Sequence, residues 1–331
     1  MEIYINGIGI ISRCACSKEE LIERCDGHYA PYRSLPLDFP IEIPSSRLRR
    51  NSRYNKIALA AADQALKDAH IPEKMENAGL DSHRIGTVVS TGYGAAEYSS
   101  VFADSVVKGD PNGCSPSVFS GSVPNSCLGQ ICIINHLKGF STVLAGGDPL
   151  EYSSLLLKTS RADHILAGSV EEFFPDLYNA FGTIDAAHGS DLSEGAAMAV
   201  LSNEKSDESY CAITGFGSIN LGKSPLIHEI ADPEELTGVL HGVLQQFPEP
   251  DVVFSAQNGT WFDCAEEKAA AEAFGDIPVK KPKSLFGETL GCGYMMNVLL
   301  GACDIYRGNY SRILVSGIDL TGNYMCAMLE K

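Results

Sequence analysis

Three short stretches bring together side chains able to do acid, base or hydrogen-bonding work. The first is Asp148-Pro149-Leu150-Glu151. Asp at a cap, Pro at the first helical position and an acid at the third form a helix start of the capping-box type, which stabilises the helix by roughly 1 kcal/mol. The second is AQNGTWFDCAE, where Asn258 precedes Asp263 and Glu266. The third, KSLFGETLGCGY, sets Lys283 shortly before Glu288, a cation and an acid suited to an ion pair. Cys127, Cys264 and Cys292 are candidate nucleophiles beside a common alternative, since small buried cysteines serve as core filler. His136, His164 and His188 fall in helix, strand and loop contexts with no second ligand nearby. Cys14 and Cys16 have no companion pair, so no metal and no cofactor are expected.

The elements that must position these residues alternate. EIYINGIGII and the segment Arg84 to Gly94 read as strands from their β-branched content. Between them, Asn51 to Ile71 places Ile57, Ala58, Ala61, Ala65 and Ala69 on one helical face, an alanine-rich stripe suited to close packing on a sheet. Phe140 to Gly147 and Ala162 to Phe173 are further strands flanking a helix that begins at Asp148. The second half repeats the pattern, from a strand at Cys211 to Ile219, through helices over PEELTGVLHGVLQQF and AEEKAAAEAF, to a last strand pair around RILVSGIDLTGNYMCAMLE. Such alternation implies a layered α/β protein with largely parallel sheets. The opening strands of both halves contain Gly-x-Gly, which suggests an internal duplication, residues 1–205 and 206–331, split at the polar stretch NEKSDESY.

The 331 residues are 44% hydrophobic and 20% charged, a globular profile. No run approaches the roughly 18–20 apolar residues of a membrane span. Glu2 stands where a secretion signal would carry Lys or Arg, and the odd count of 11 cysteines fits reduced thiols, so a cytoplasmic location is expected. A formal charge of −17 argues against nucleic acid as a partner. One basic run stands out, Arg47, Arg49, Arg50, Arg53 and Lys56. It is either a solvated helix start or a landing patch for an acidic protein.

The order of the motifs resembles the β-ketoacyl-[acyl-carrier-protein] synthase family, from Ile3 to Leu329. SVPNSCLGQICIINHLKGFSTVLAGG is similar to the family's dimer-interface region, with Asn125 opening a helix. ADHILAGSVEEF resembles the strand carrying Gly-Gly-x-Glu, and SEGAAMAVL the segment that closes the first half. AQNGTWFDCAE resembles the Ala-His-Gly-Thr loop, and KSLFGETLGCGY the Lys-Ser-x-x-Gly-His segment. The resemblance implies a thiolase-like, five-layer αβαβα fold built from two duplicated halves. It also places Asp148 where the condensing Cys would stand, and Asn258 and Glu288 where the two catalytic His would stand. Lys283 keeps the family lysine. Leu320 falls near the gate, and Phe119 and Asn125 fall in the tunnel region. From its charge, the basic run Arg47, Arg49, Arg50, Arg53 and Lys56 is the expected docking patch for an acidic carrier protein.

Asp148 cannot form a thioester, and an ionised Glu288 would repel a malonyl carboxylate. The expectation is therefore a non-condensing partner of an active ketosynthase, of the chain-length-factor type, in fatty-acid or polyketide assembly. It would pair through Ser141 to Gly147 with that ketosynthase, or with itself, and meet an acyl carrier protein. The alternative is an enzyme with altered acyl-thioester chemistry, decarboxylation or hydrolysis, in which Asp148, Asn258, Lys283 and Glu288 converge and carboxylates act as acid and base.

Overall fold

The computed structural model describes residues 2–25, 33–109, 113–184, 191–224 and 233–331. Ten strands are present among them: β1 (Ile3–Ile11), β2 (Ile85–Thr91), β3 (Ser141–Ala145), β4 (His164–Glu171), β5 (Gly195–Ser202), β6 (Cys211–Asn220), β7 (Val252–Phe254), β8 (Val279–Lys280), β9 (Arg312–Ile318) and β10 (Asn323–Glu330). They form one sheet in the order β3-β2-β4-β5-β1-β6-β10-β9-β7-β8. Outward from the centre, β1-β5-β4-β2-β3 on one side matches β6-β10-β9-β7-β8 on the other. The same topology therefore occurs twice, and the copies meet where Ile3, Tyr4 and Ile5 pair with Ile213, Ala212 and Cys211.

The sheet is mixed rather than largely parallel. Pairs β2–β3, β2–β4, β7–β8 and β7–β9 are parallel. The central pairs and β9–β10 are antiparallel. The connections explain part of this. β2 reaches β3 through helices, which permits a parallel crossover, whereas the tight turn between Ile318 and Asn323 permits only an antiparallel return.

Alternating side chains sort the core into layers. On β5, Ala197, Ala199 and Leu201 enter a central core that also holds Ile313 and Val315 of β9. The intervening Ala196, Met198 and Val200 face an outer core with the Arg53–Asp68 and Ser126–Ile134 helices. On β10, Tyr324, Cys326 and Met328 face a second outer core with the Pro233–Leu244 and Phe262–Phe274 helices. The Pro149–Lys158 and Gly293–Tyr306 helices fill the middle. The result is five layers, helix–sheet–helix–sheet–helix, in which the two sheet layers are the β1-side and β6-side halves of the one continuous sheet. Gly293–Tyr306 is buried from Gly293 to Ile305, as a helix enclosed on both sides must be, which explains its near-continuous apolar sequence.

The paired Gly-x-Gly motifs do equivalent work. A Cβ at Gly7 or Gly9 would run into Ala61, Ala65 and Ala69 of the alanine stripe, and at Gly215 or Gly217 into Phe247. Glycine lets the covering helical layer approach each opening strand. Among the described residues, no helix is long and apolar enough to cross a membrane.

Candidate functional site

Asp148 ends the Gly146-Gly147 turn after β3 and caps the Pro149–Lys158 helix. Its Oδ1 accepts from the Leu150 N–H at 2.7 Å and the Glu151 N–H at 3.1 Å. Its Oδ2 accepts the Tyr294 hydroxyl at 2.9 Å. Burial pushes the Asp148 carboxyl up to about 7, against the lowering effect of those three hydrogen bonds. The capping box is incomplete, because Glu151 accepts from the Ser218 hydroxyl at 3.2 Å instead of reaching back to the cap. Asp148 and Glu151 line a cavity of about 720 Å³ with Leu144, Tyr152, Leu155 and Phe216.

Asn258, Lys283 and Glu288 come together by direct contact. The Lys283 ammonium donates to Glu288 Oε2 at 2.6 Å, with both side chains 2% exposed. The Asn258 amide donates to the same oxygen at 2.8 Å. Glu288 Oε1 accepts the Leu290 N–H at 2.7 Å. Asn258 Oδ1 receives the Thr260 hydroxyl at 2.7 Å, and its backbone N–H is held by Asp263 at 2.9 Å. Two donors on one carboxylate oxygen and one on the other give a buried charge the compensation it needs. Both polar groups of the Asn258 side chain are thereby taken up within the chain.

The four positions therefore do not form one bonded cluster. Asp148 is held by Tyr294 and its own helix, and the other three hold one another. They approach through the start of the Gly293–Tyr306 helix, where Gly293 lies against the Lys283 side chain and Tyr294 reaches Asp148.

Sequence reasoning missed several residues that build this region. Asp319 Oδ2 accepts the Gly147 N–H at 2.6 Å, and its Oδ1 accepts the Thr321 N–H at 2.8 Å and the Asn323 N–H at 3.0 Å. This fastens the β9–β10 turn onto the residue before Asp148. Gly146 and Gly147 have φ of 79° and 87°, a region glycine enters without strain. A Cβ on Gly146 would also strike Asp319 and Thr321. Leu320 packs over Gly92, beside Glu171, whose carboxylate accepts the Gly92 and Tyr93 N–H groups. Burial pushes Glu171 up to about 8. The Asp-x-Thr string was the available signal for Asp319, an Asx turn.

The remaining candidates are dispersed. Phe119 is 56% exposed and stacks at 5.0 Å on Phe102. Asn125 is exposed at the start of the Ser126–Ile134 helix and makes no side-chain cap bond. Arg47, Arg49 and Arg50 are exposed and line a polar cavity of about 790 Å³ with Ser46, Ser117, Ser120 and Gln130. Lys56 is half-buried on the Arg53–Asp68 helix. Arg53 departs from this group: its guanidinium grips the fully buried Glu194 at 2.5 Å and the Leu37 carbonyl at 2.7 Å, so it is a structural ion pair.

Among the thiols, burial pushes Cys127 up to about 12 and Cys292 well above its ordinary value, so both stay protonated, whereas Cys264 is exposed. His136 lies beyond its helix in a left-handed turn, and His188 lies outside the described residues. Burial lowers His164, which is neutral at the start of β4.

No family model matches the chain. Its fold does match solved structures over nearly the whole length. A type II polyketide synthase acyl-carrier protein in complex with its ketosynthase, bound to the hexaketide, aligns at TM-score 0.81 and 15% identity, covering 99% of each chain. The ishigamide ketosynthase/chain length factor aligns at 0.82 and 16%, covering 100% of this chain and 99% of that one. A beta-ketoacyl synthase from Burkholderia phymatum aligns at 0.80 and 16%, again covering 100% and 99%. The chain thus has the thiolase-like fold of ketosynthases and chain length factors.

Proposed function

We propose that this chain is a non-condensing ketosynthase-like subunit that pairs with an intact ketosynthase and shapes the space its acyl chain occupies. The observation that carries this reading is the state of Asp148. It occupies the helix start where the resemblance places a nucleophile, and both of its oxygens are engaged, by Leu150 and Glu151 on one side and Tyr294 on the other. Asn258 and Lys283 are spent on Glu288 in the same way. These groups serve the fold.

The surface supports a partner. β3 ends the sheet, and its outer edge presents unpaired backbone groups that another strand can extend. Val101, Val107, Phe119, Val123 and Ile133 are exposed apolar residues on the helices and turns preceding it. The cavity beside Asp148 also borders β3 through Leu144, so a partner docked there would close it. Arg47, Arg49 and Arg50, on a chain of charge −17, suit an acidic carrier protein. Co-expression with an intact ketosynthase tests the reading: a mixed dimer supports it, and exclusively self-paired material contradicts it.

A second reading is acid–base chemistry on an acyl thioester. It draws on the Asp148 carboxyl, held near neutrality at about 7 on the wall of a 720 Å³ cavity. Incubation with malonyl- and acyl-carrier protein, with Asp148→Asn in parallel, tests it. Turnover lost in the variant supports this reading, and no turnover in either protein ends it.

A further inference from the structure

Cys25 and Cys303 are far apart in sequence, and the fold sets Cys25 against the helix turn that carries Cys303. Cys25 ends the first helix, Lys18–Cys25, and is half-buried. Cys303 lies on the last turn of the Gly293–Tyr306 helix and is fully buried. Two contacts fix Cys25 over that turn. Its thiol is 3.8 Å from the Leu300 carbonyl, one turn before Cys303. Its carbonyl accepts the Asn309 amide at 3.4 Å, while that amide also binds Asp304 at 2.7 Å. Leu300 and Cys303 are three apart and so share one helix face. Both thiols are free in this structure.

We propose that Cys25 and Cys303 form a reversible disulfide, a covalent link between the first helix and the central helix of the C-terminal half. The oxidant is a disulfide such as glutathione disulfide. Cys25 is the more accessible thiol and attacks first. Its thiolate, having lost its proton to solvent, bonds to one glutathione sulfur, and the S–S bond breaks to release the other as a thiolate that takes up a proton. The Cys303 thiolate then attacks the Cys25 sulfur and expels the second glutathione. Two protein thiols are oxidised by two electrons, and one glutathione disulfide is reduced to two glutathiones. Burial holds the Cys303 thiol well above its ordinary value, so this second step is slow and becomes faster as pH rises. The pairing is independent of how the chain functions in acyl assembly.

Peptide mapping of the full chain tests it, after incubation with millimolar glutathione disulfide and alkylation of the remaining thiols. The expected product is a cross-linked Cys25–Cys303 peptide lighter than its two parts by about 2 Da, abolished by dithiothreitol. It should be absent from Cys25→Ser and from Cys303→Ala, and the Cys25→Ser result stands alone if the core variant fails to fold. The exposed Cys264 reports that the oxidant is active, by taking a glutathione adduct. A Cys25 that ends as a stable glutathione adduct, or remains alkylatable while Cys264 is modified, overturns the proposal.

Discussion

The Tyr294 hydroxyl donates to the Asp148 carboxylate across 2.9 Å, joining the first turn of one central helix to the cap of the other. The bond crosses from the C-terminal half to the N-terminal half in the middle layer of the fold. Removing either partner strands a buried polar group. Asp148→Ala should destabilise the protein by roughly 2–4 kcal/mol, the loss of a cap plus an unpaired buried hydroxyl. Asp148→Asn keeps an N-cap acceptor, and its amide N–H can donate to the Tyr294 hydroxyl oxygen in place of the bond it loses, so it should fall within about 1 kcal/mol of the wild type. Urea denaturation of both variants gives the comparison.

Stability should fall as pH rises from about 5 to about 8. Asp148 at about 7, Glu171 at about 8 and Glu172 at about 7 all lie above their ordinary values through burial. Glu266 is raised by the same cause. A carboxyl raised in the folded state keeps its proton where the unfolded chain has lost it, so the folded state binds more protons across this window. The stabilisation is full below the unfolded pKa and is lost as pH passes the folded one. His164, lowered by burial, acts in the opposite direction below its ordinary value of 6.5, one group against four. Denaturation curves across that range read the slope, and Asp148→Asn should flatten it.

Lys283 and Glu288 are a fully enclosed ion pair. Lys283→Ala leaves the carboxylate with the Asn258 and Leu290 donors alone, and should cost about 3–5 kcal/mol. Lys283→Met combined with Glu288→Gln removes both charges at similar volume and should recover most of that loss. A thermodynamic cycle on the two single variants and the double measures the coupling.

The basic run should separate into two behaviours. Arg47→Glu, Arg49→Glu and Arg50→Glu together should leave the melting temperature nearly unchanged and weaken carrier-protein binding by roughly tenfold or more, with reduced salt dependence. Arg53→Ala, which strands the buried Glu194, should destabilise by about 3 kcal/mol and leave that affinity to the exposed arginines. Calorimetry and titration distinguish the two.

Local and periodic signals carried much of this architecture. The duplicated Gly-x-Gly strands, the alanine stripe and the Asp148-Pro149 helix start all leave marks within a few residues, and each is present as expected. The Lys283–Glu288 pair was also legible, because a short helix and a tight turn bring two nearby residues together. What escaped depends on contacts between residues far apart in the chain. Nothing near Glu151 announces Ser218, nothing near Arg53 announces Glu194, and nothing near Asp148 announces Tyr294. The sheet direction was misjudged because alternation of helices and strands does not record which strands return by a tight turn.

Native mass spectrometry of this chain, co-expressed with an intact Cys-His-His ketosynthase from the same source, tests the central claim most directly. The expected species is a one-to-one complex of the two chains, with condensation activity that survives Asp148→Asn and disappears when the partner's nucleophile is replaced. A spectrum containing only self-paired or single chains of this protein, or condensation by this chain alone, would contradict it.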